Sequence, residues 1–324
     1  MDLRLALHEL SARHGLDAMA ARRVRQIAGL QDEPETLSAW LPRGLAVLAA
    51  VLGGLGLVMW VAANWETLGR FGRFALLQGF VLAMCVGALA RPAARAPLGL
   101  LALLGIGGLF AYFGQTYQTG ADPWQLFALW AALALPLCLG VRHDVLWAPW
   151  AVVVATAISL WLYAHVGHRW NVDPDDLDIH LIAWGAAFAL VLALSSLLQR
   201  FTGAGPWALR TAATLLVVML TLSAVGGLFG TRVAPHYPLA LAMLALAAAV
   251  LCLPGVFDVF ALSAVALGIN TLLVAGLARL LFKEGQGDAV GSLMLIGVAA
   301  AVLLATSVSA ILRLARRRDG TGST

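Results

Sequence analysis

The side chains equipped to recognise a solute fall in a few short runs between apolar blocks. One run is Ala62-Ala63-Asn64-Trp65-Glu66-Thr67-Leu68. A second is Gly114-Gln115-Thr116-Tyr117, continuing to Asp122-Pro123-Trp124. Asn64 and Glu66 end one apolar block, Gln115 and Tyr117 end another, and Gln78 lies near the start of the block between them. Amides, a carboxylate and a phenol converging there, walled by Trp60, Trp65 and Trp124, would make a shallow binding pocket. Helix capping by Asn64 and Glu66, with the indoles anchoring at a membrane interface, is the simpler account of the same positions. Further along, Asp173, Asp175, Asp176 and Asp178 are flanked by His165 and His168 on one side and His180 on the other. Oxygen and nitrogen donors this dense raise a metal site. The calcium-loop pattern fails, however, because Leu177 occupies a ligand position and no terminal glutamate follows. A solvated acidic loop is the favoured reading. Asp258, Asn270 and Arg279 share one later apolar block, with Asn270 about 18 Å beyond Asp258 along a helix, near a membrane midplane. A polar group at that depth is a functional candidate by default. A hydrogen bond to a neighbouring helix is its plainer use.

Other chemistries fail on spacing. His8-Glu9 would begin a zinc-protease helix, but the second histidine is replaced by Ala12. Gly105-Ile106-Gly107-Gly108 is no dinucleotide loop, since the final glycine position holds Phe110. Neither a G-x-S-x-G nor a phosphate-binding G-x-x-x-x-G-K-[ST] run occurs, and no histidine sits mid-block to ligate haem. Cys85, Cys138 and Cys252 lie in apolar blocks without a C-x-x-C pair and read as small hydrophobes. No cofactor and no metal is expected.

The elements that must position these groups follow from composition. Of 324 residues, 61% are hydrophobic and 12% charged, against roughly 25% charged in soluble domains. Lipid must therefore be the solvent for most of the chain. Ten apolar segments recur, at 44–63, 73–90, 98–114, 125–141, 145–165, 179–198, 208–229, 237–253, 256–281 and 289–312, the third, fourth and eighth being short. The expected fold is all-α: a polytopic integral membrane bundle of about ten transmembrane helices. A short cytoplasmic pair of amphipathic helices at 1–42 precedes the membrane domain at 43–312, and a basic cytoplasmic tail at 313–324 follows it. In the head, Leu3, Leu7 and Leu10 share a helical face that stops at Gly15. Asp17 can cap a second helix with Met19, Val24, Ile27 and Leu30 opposite Arg22, Arg23 and Arg25. Residues 1–40 lack the apolar core of roughly 7–15 residues that a cleavable signal carries, so the block near Gly44 is expected to act as an uncleaved anchor.

Orientation follows the positive-inside rule. With the N-terminus inside, 15 of the 21 Lys and Arg residues fall on the cytoplasmic side, leaving Arg70, Arg73, Arg169, Arg232, Arg279 and Lys283 outside. Both termini are then cytoplasmic. The expected partners are the bilayer itself, anionic lipid beside the basic second helix and tail, and a protein partner or a second copy. No nucleic acid is expected, because no basic face on a soluble domain is present.

A glycine-rich first span running into Ala-Asn-Trp-Glu resembles the prokaryotic membrane-protein family catalogued as domain of unknown function 2157. So does the later run of Gln115, Tyr117, Asp122, Pro123, Trp124 and Trp130, and the helix pair ahead of the first span. The resemblance is best over 3–140. It implies a polytopic protein of a prokaryotic cytoplasmic (inner) membrane and supplies no activity. The residues favour a non-enzymatic protein that binds or transports a small solute through Asn64, Glu66, Gln78, Gln115, Tyr117, Asp122, Trp124 and Asn270. Two alternatives stay open. One is a scaffold docking a partner through its N-terminal helices. The other is a membrane enzyme of envelope or lipid metabolism, for which Glu66, Asp122 and His180 are the candidates.

Overall fold

A chain this apolar must satisfy its backbone within each segment, and the α-helix does so without a partner. The computed structural model describes residues 3–28, 35–64, 67, 69–117, 120, 122–169, 172–230, 232–253, 255–283 and 289–319, among which there is no strand. The head is α1 (Leu3–Arg13) and α2 (Ala18–Ile27). Gly15 turns the chain between them with φ +56°, and the Asp17 carboxylate accepts the Ala20 N–H at 2.7 Å as the expected cap. Met19 and Ile27 are exposed, whereas Leu30 lies outside the described residues. Then come α3 (Glu35–Ala63), α4 (Arg70–Ala90), α5 (Arg95–Tyr117), α6 (Pro123–Val141), α7 (Asp144–His165) and α8 (Leu177–Ala193). They are followed by the single turn α9 (Gln199–Thr202), α10 (Pro206–Leu228), α11 (His236–Leu251), α12 (Val259–Lys283) and α13 (Ala289–Asp319).

Among the described residues, nine helices are long and apolar enough to cross a membrane, and the protein is an all-α polytopic bundle. The eighth expected segment, α11, has 16 residues and rises only about 24 Å, against a hydrocarbon layer of about 30 Å. It nevertheless traverses the bundle. Arg210 pairs with Asp258 at 2.9 Å, joining the starts of α10 and α12, and Arg279 donates to the Gly230 carbonyl at 3.0 Å, joining their far ends. Those two helices run parallel, so α11 must return between them. The largest differences from the apolar blocks are three, and in one of them α8 stops at Ala193, short of residue 198. Helix α3 begins at Glu35, well ahead of residue 44, and carries Pro42 inside it. Helix α13 continues through Arg313–Arg318 to Asp319, because nothing helix-breaking intervenes before Gly320.

The bundle is organised around two helices. In the first half α5 presents glycines to three neighbours. Gly105 faces Phe80 and Val81 of α4, Gly107 lies under the Trp130 ring of α6, and Gly108 faces Val58 of α3. Small residues let helices approach where lipid provides no hydrophobic drive. The glycine cluster excluded as a nucleotide loop is thus a packing slot. Trp130 locks into it by donating Nε1–H to the Leu103 carbonyl at 3.0 Å. In the second half α10 packs against α7, α8, α11 and α12. One core cluster runs through Leu103, Cys138, Trp147, Leu190 and Ala208, and a second through Trp184, Leu220, Leu244 and Leu272.

One end of the bundle gathers the loops bearing Arg95, Arg142, Arg200, Arg210 and Arg318. Arg142, held in the left-handed region at φ 54°, donates to the carbonyls of Arg200 and Phe201. The Asp144 carboxylate accepts the Gly205 and Trp207 N–H groups at 2.6 and 2.9 Å, capping α10 from across the loop. Arg318 donates to the Cys252 and Leu253 carbonyls, bringing the C-terminal end of α13 to this same basic end. Burial alone would raise the Asp258 carboxyl. The Arg210 guanidinium and the Ala261 and Phe260 N–H groups outweigh it and hold the group below its ordinary value.

Candidate functional site: a crevice at the far end

The loops opposite the basic end hold most of the polar residues that the sequence singles out. Asn64 turns back on its own helix, donating to the Trp60 carbonyl at 2.9 Å, as a helix-end amide does. Trp65 and Glu66 lie outside the described residues. Gln78 and Gln115 are exposed on α4 and α5. Tyr117 packs on Phe74 with ring centroids 6.0 Å apart, and the Arg70 guanidinium lies over it at 5.9 Å. Asp122 contacts His168 Nε2 at 3.4 Å, and the half-buried Trp124 faces the His165 ring. Asn270, deep in α12, donates to the Ser307 hydroxyl of α13 at 2.9 Å, which joins two helices. Of the eight expected site residues, therefore, Asp122 and Trp124 adjoin the 165–180 region.

That region is where the concavities are. After α7 the chain turns at Gly167 and His168, with φ +75° and 60°, and His168 stacks edge-on to Tyr163 at 5.4 Å. Asp173 then accepts the Asp175 N–H at 3.2 Å and starts a short turn at Pro174–Asp176 leading into α8. Between this loop and the end of α7 lies an open cavity of about 300 Å³, bordered by His165, Arg169, Asp173, Asp175 and Asp176. A second cavity of about 350 Å³ shares Val166 and Arg169 with the first and continues from the loop down between α7 and α10. Its α7 wall runs from Ala155 to Val166, a rise of about 16 Å. Leu215, Val218 and Leu222 form the α10 wall, and His180 reaches it from α8. Val218 and Leu222 are also exposed on the outside of the bundle, so the crevice opens toward the lipid-facing side. Both volumes fall at the lower end of the usual range for small-molecule sites, roughly 300–1,000 Å³.

The inner wall is polar near the mouth, within the first turns of α8 and α11. His180 is 3% exposed and its Nδ1 lies 2.9 Å from the Asp176 carbonyl. A carbonyl only accepts, so Nδ1 carries the proton and Nε2 carries a lone pair in the neutral ring. His236, at the start of α11, packs edge-to-face on His180 with centroids 4.4 Å apart, and both rings meet Trp184. His236 is fully buried, and neither of its nitrogens nor the Trp184 indole N–H has a hydrogen-bond partner among the described residues. Space for this cluster comes from Gly227, which approaches Ala234, His236 and Val172 so closely that a Cβ would sit 3.1–3.5 Å from all three. Sequence inspection found His180 and the carboxylates. It missed His236, Trp184, Arg169, Tyr163 and Ser223, because nothing in their spacing links α8, α10 and α11. The one signal was Pro235-His236-Tyr237, a histidine opening an apolar helix. No set of three or more metal-ligating side chains comes together among the described residues.

No curated protein matches the chain, and no solved structure does. The crevice lies beyond the stretch for which a family is found. Over residues 8–147, from α1 to the first turn of α7, the chain matches the family described as predicted membrane protein (DUF2157), in agreement with the resemblance carried by Asn64, Trp124 and Trp130.

Proposed function

We propose that this membrane protein binds a small amphiphilic solute in the crevice between α7 and α10, with the solute's apolar part between the two helices and its polar part beside Arg169 and Asp173. The observation that carries this reading is the gradient along one continuous depression. Exposed charged side chains border its outer mouth, and aliphatic residues line its depth. Such a gradient matches a molecule with one wet and one dry end, and the opening at Val218 and Leu222 lets it enter from the bilayer. The positive-inside asymmetry supports placing the basic end in the cytoplasm of a prokaryotic inner membrane, which would put the crevice mouth outside. Binding is the core of the proposal, and passage across the bundle would be a second step.

The test is photolabelling of the full-length protein in lipid nanodiscs with a diazirine-bearing medium-chain amphiphile. Crosslinks concentrated on peptides 155–166 and 215–223, and competed by the unlabelled compound, are expected. Uniform labelling of all lipid-facing helices would refute the site.

A further inference from the structure

We infer that the crevice selects an amphiphile whose polar end is an uncharged hydroxyl, recognised by His180 and Ser223. The inference rests on the binding reading above and assigns the chemistry of its polar end. His180 and Ser223 both line the crevice and are only 3% and 7% exposed. His180 Nδ1–H is already engaged with Asp176, so its Nε2 offers an acceptor. The Ser223 hydroxyl can donate or accept. Behind them Trp184 and His236 are fully buried and border neither cavity, so they back the wall without reaching the solute.

A hydroxyl also donates one hydrogen bond and accepts others, so it meets this set on equal terms. A carboxylate would meet the His180 Nε2 lone pair with nothing to donate to it, and Arg169, which lines the same cavity, is exposed to water that screens its charge. An ammonium would leave water for rings that carry no fixed negative charge. The Asp173 carboxylate is near enough to act on His236, but it and Asp175 are exposed on the loop, where water screens their pull on an ammonium. Transfer of an unpaired ion into such a wall is far more costly than transfer of a hydroxyl that finds partners.

The experiment uses two diazirine probes of equal chain length, a primary alcohol and the corresponding alkane, on the full-length protein in nanodiscs. Unlabelled medium-chain carboxylate and amine serve as competitors. The readout is the alcohol-to-alkane labelling ratio on peptides 155–166 and 215–223. Both probes need the same apolar walls, so the ratio is insensitive to partial loss of fold. The wild type should favour the alcohol by roughly two- to tenfold, the factor a neutral hydrogen bond supplies. His180→Leu and Ser223→Ala should bring the ratio toward one, and His180→Gln should restore most of it. A wild-type ratio of one overturns the hydroxyl assignment while leaving the binding site standing. So does a carboxylate or amine that competes better than the alcohol. Absence of either probe from both peptides overturns the binding reading itself.

Discussion

Two adjacent glycines in α5 make opposite demands, and substituting each by alanine tests the packing that organises the first half of the bundle. At Gly107 an added Cβ would lie within 2.8 Å of three Trp130 ring atoms, nearer than real side chains approach. The indole must move, and its bond to the Leu103 carbonyl at 3.0 Å goes with it. Overpacking of this kind costs about 1–3 kcal/mol, and the lost hydrogen bond about 1 kcal/mol more. Alanine returns about 1 kcal/mol through helix propensity. The net for Gly107→Ala is a loss of about 2 kcal/mol. At Gly108 the same Cβ meets Val58 at 3.5 Å and Leu77 at 4.0 Å, both ordinary contacts, so Gly108→Ala should be neutral or stabilising by up to about 1 kcal/mol. Unfolding of the purified protein by detergent titration in mixed micelles, followed by tryptophan fluorescence, should separate the two variants by about 2–3 kcal/mol. That gap is roughly 30- to 150-fold in the unfolding equilibrium. Equal stability of the two variants would refute the glycine-slot account, whatever their common value.

Asp144→Ala removes two charge-assisted bonds to the start of α10 and should destabilise the protein by about 2–4 kcal/mol in the same titration, with Asp144→Asn losing less. Asp258 is held below its ordinary pKa, so the folded state gains stability from it above about pH 4. That contribution should fade as pH falls through the depressed value. Asp258→Asn should flatten the stability profile there, and an unchanged acid limb would count against the Arg210 pairing. Met19 and Ile27 are exposed on α2 beside Arg23, and Arg313, Arg316 and Arg317 are exposed on α13. A polarity-sensitive dye on Met19→Cys, in a background without the native cysteines, should therefore shift blue in anionic nanodiscs and less in neutral ones or at high salt. Equal spectra under all three conditions would exclude electrostatic docking. Reporter fusions after Arg95 and Arg318 should read cytoplasmic and one within 171–178 external, and a cytoplasmic signal at 171–178 would reverse the orientation.

What the sequence made legible follows from the length scale of each signal. A span writes its hydropathy over some twenty consecutive residues, so all ten apolar segments are helices. Helix ends are set by single residues, which is why α3 and α13 overran the apolar blocks at Glu35 and Asp319. Asp17, Asp258 and Asn270 were readable because their partners are local or their depth is unusual. Gln78 and Gln115 show the limit. Polarity and position along the chain do not reveal which way a helix is turned, and both side chains are exposed. The His180–His236 contact joins α8 to α11 across 56 residues, and only the packing around α10 brings them together. Gly107 was visible as a glycine, yet its purpose depends on Trp130, a residue on another helix.

The central claim is that the crevice between α7 and α10 holds an amphiphile, and an experimental density map of the wild-type protein in nanodiscs tests it most directly. The account predicts elongated density between Ser159 and Val218, ending in a polar group within hydrogen-bonding distance of His180 Nε2 and beneath Arg169. Helices α7 and α10 closed against each other, with side chains filling the space and no density reaching His180, would contradict it.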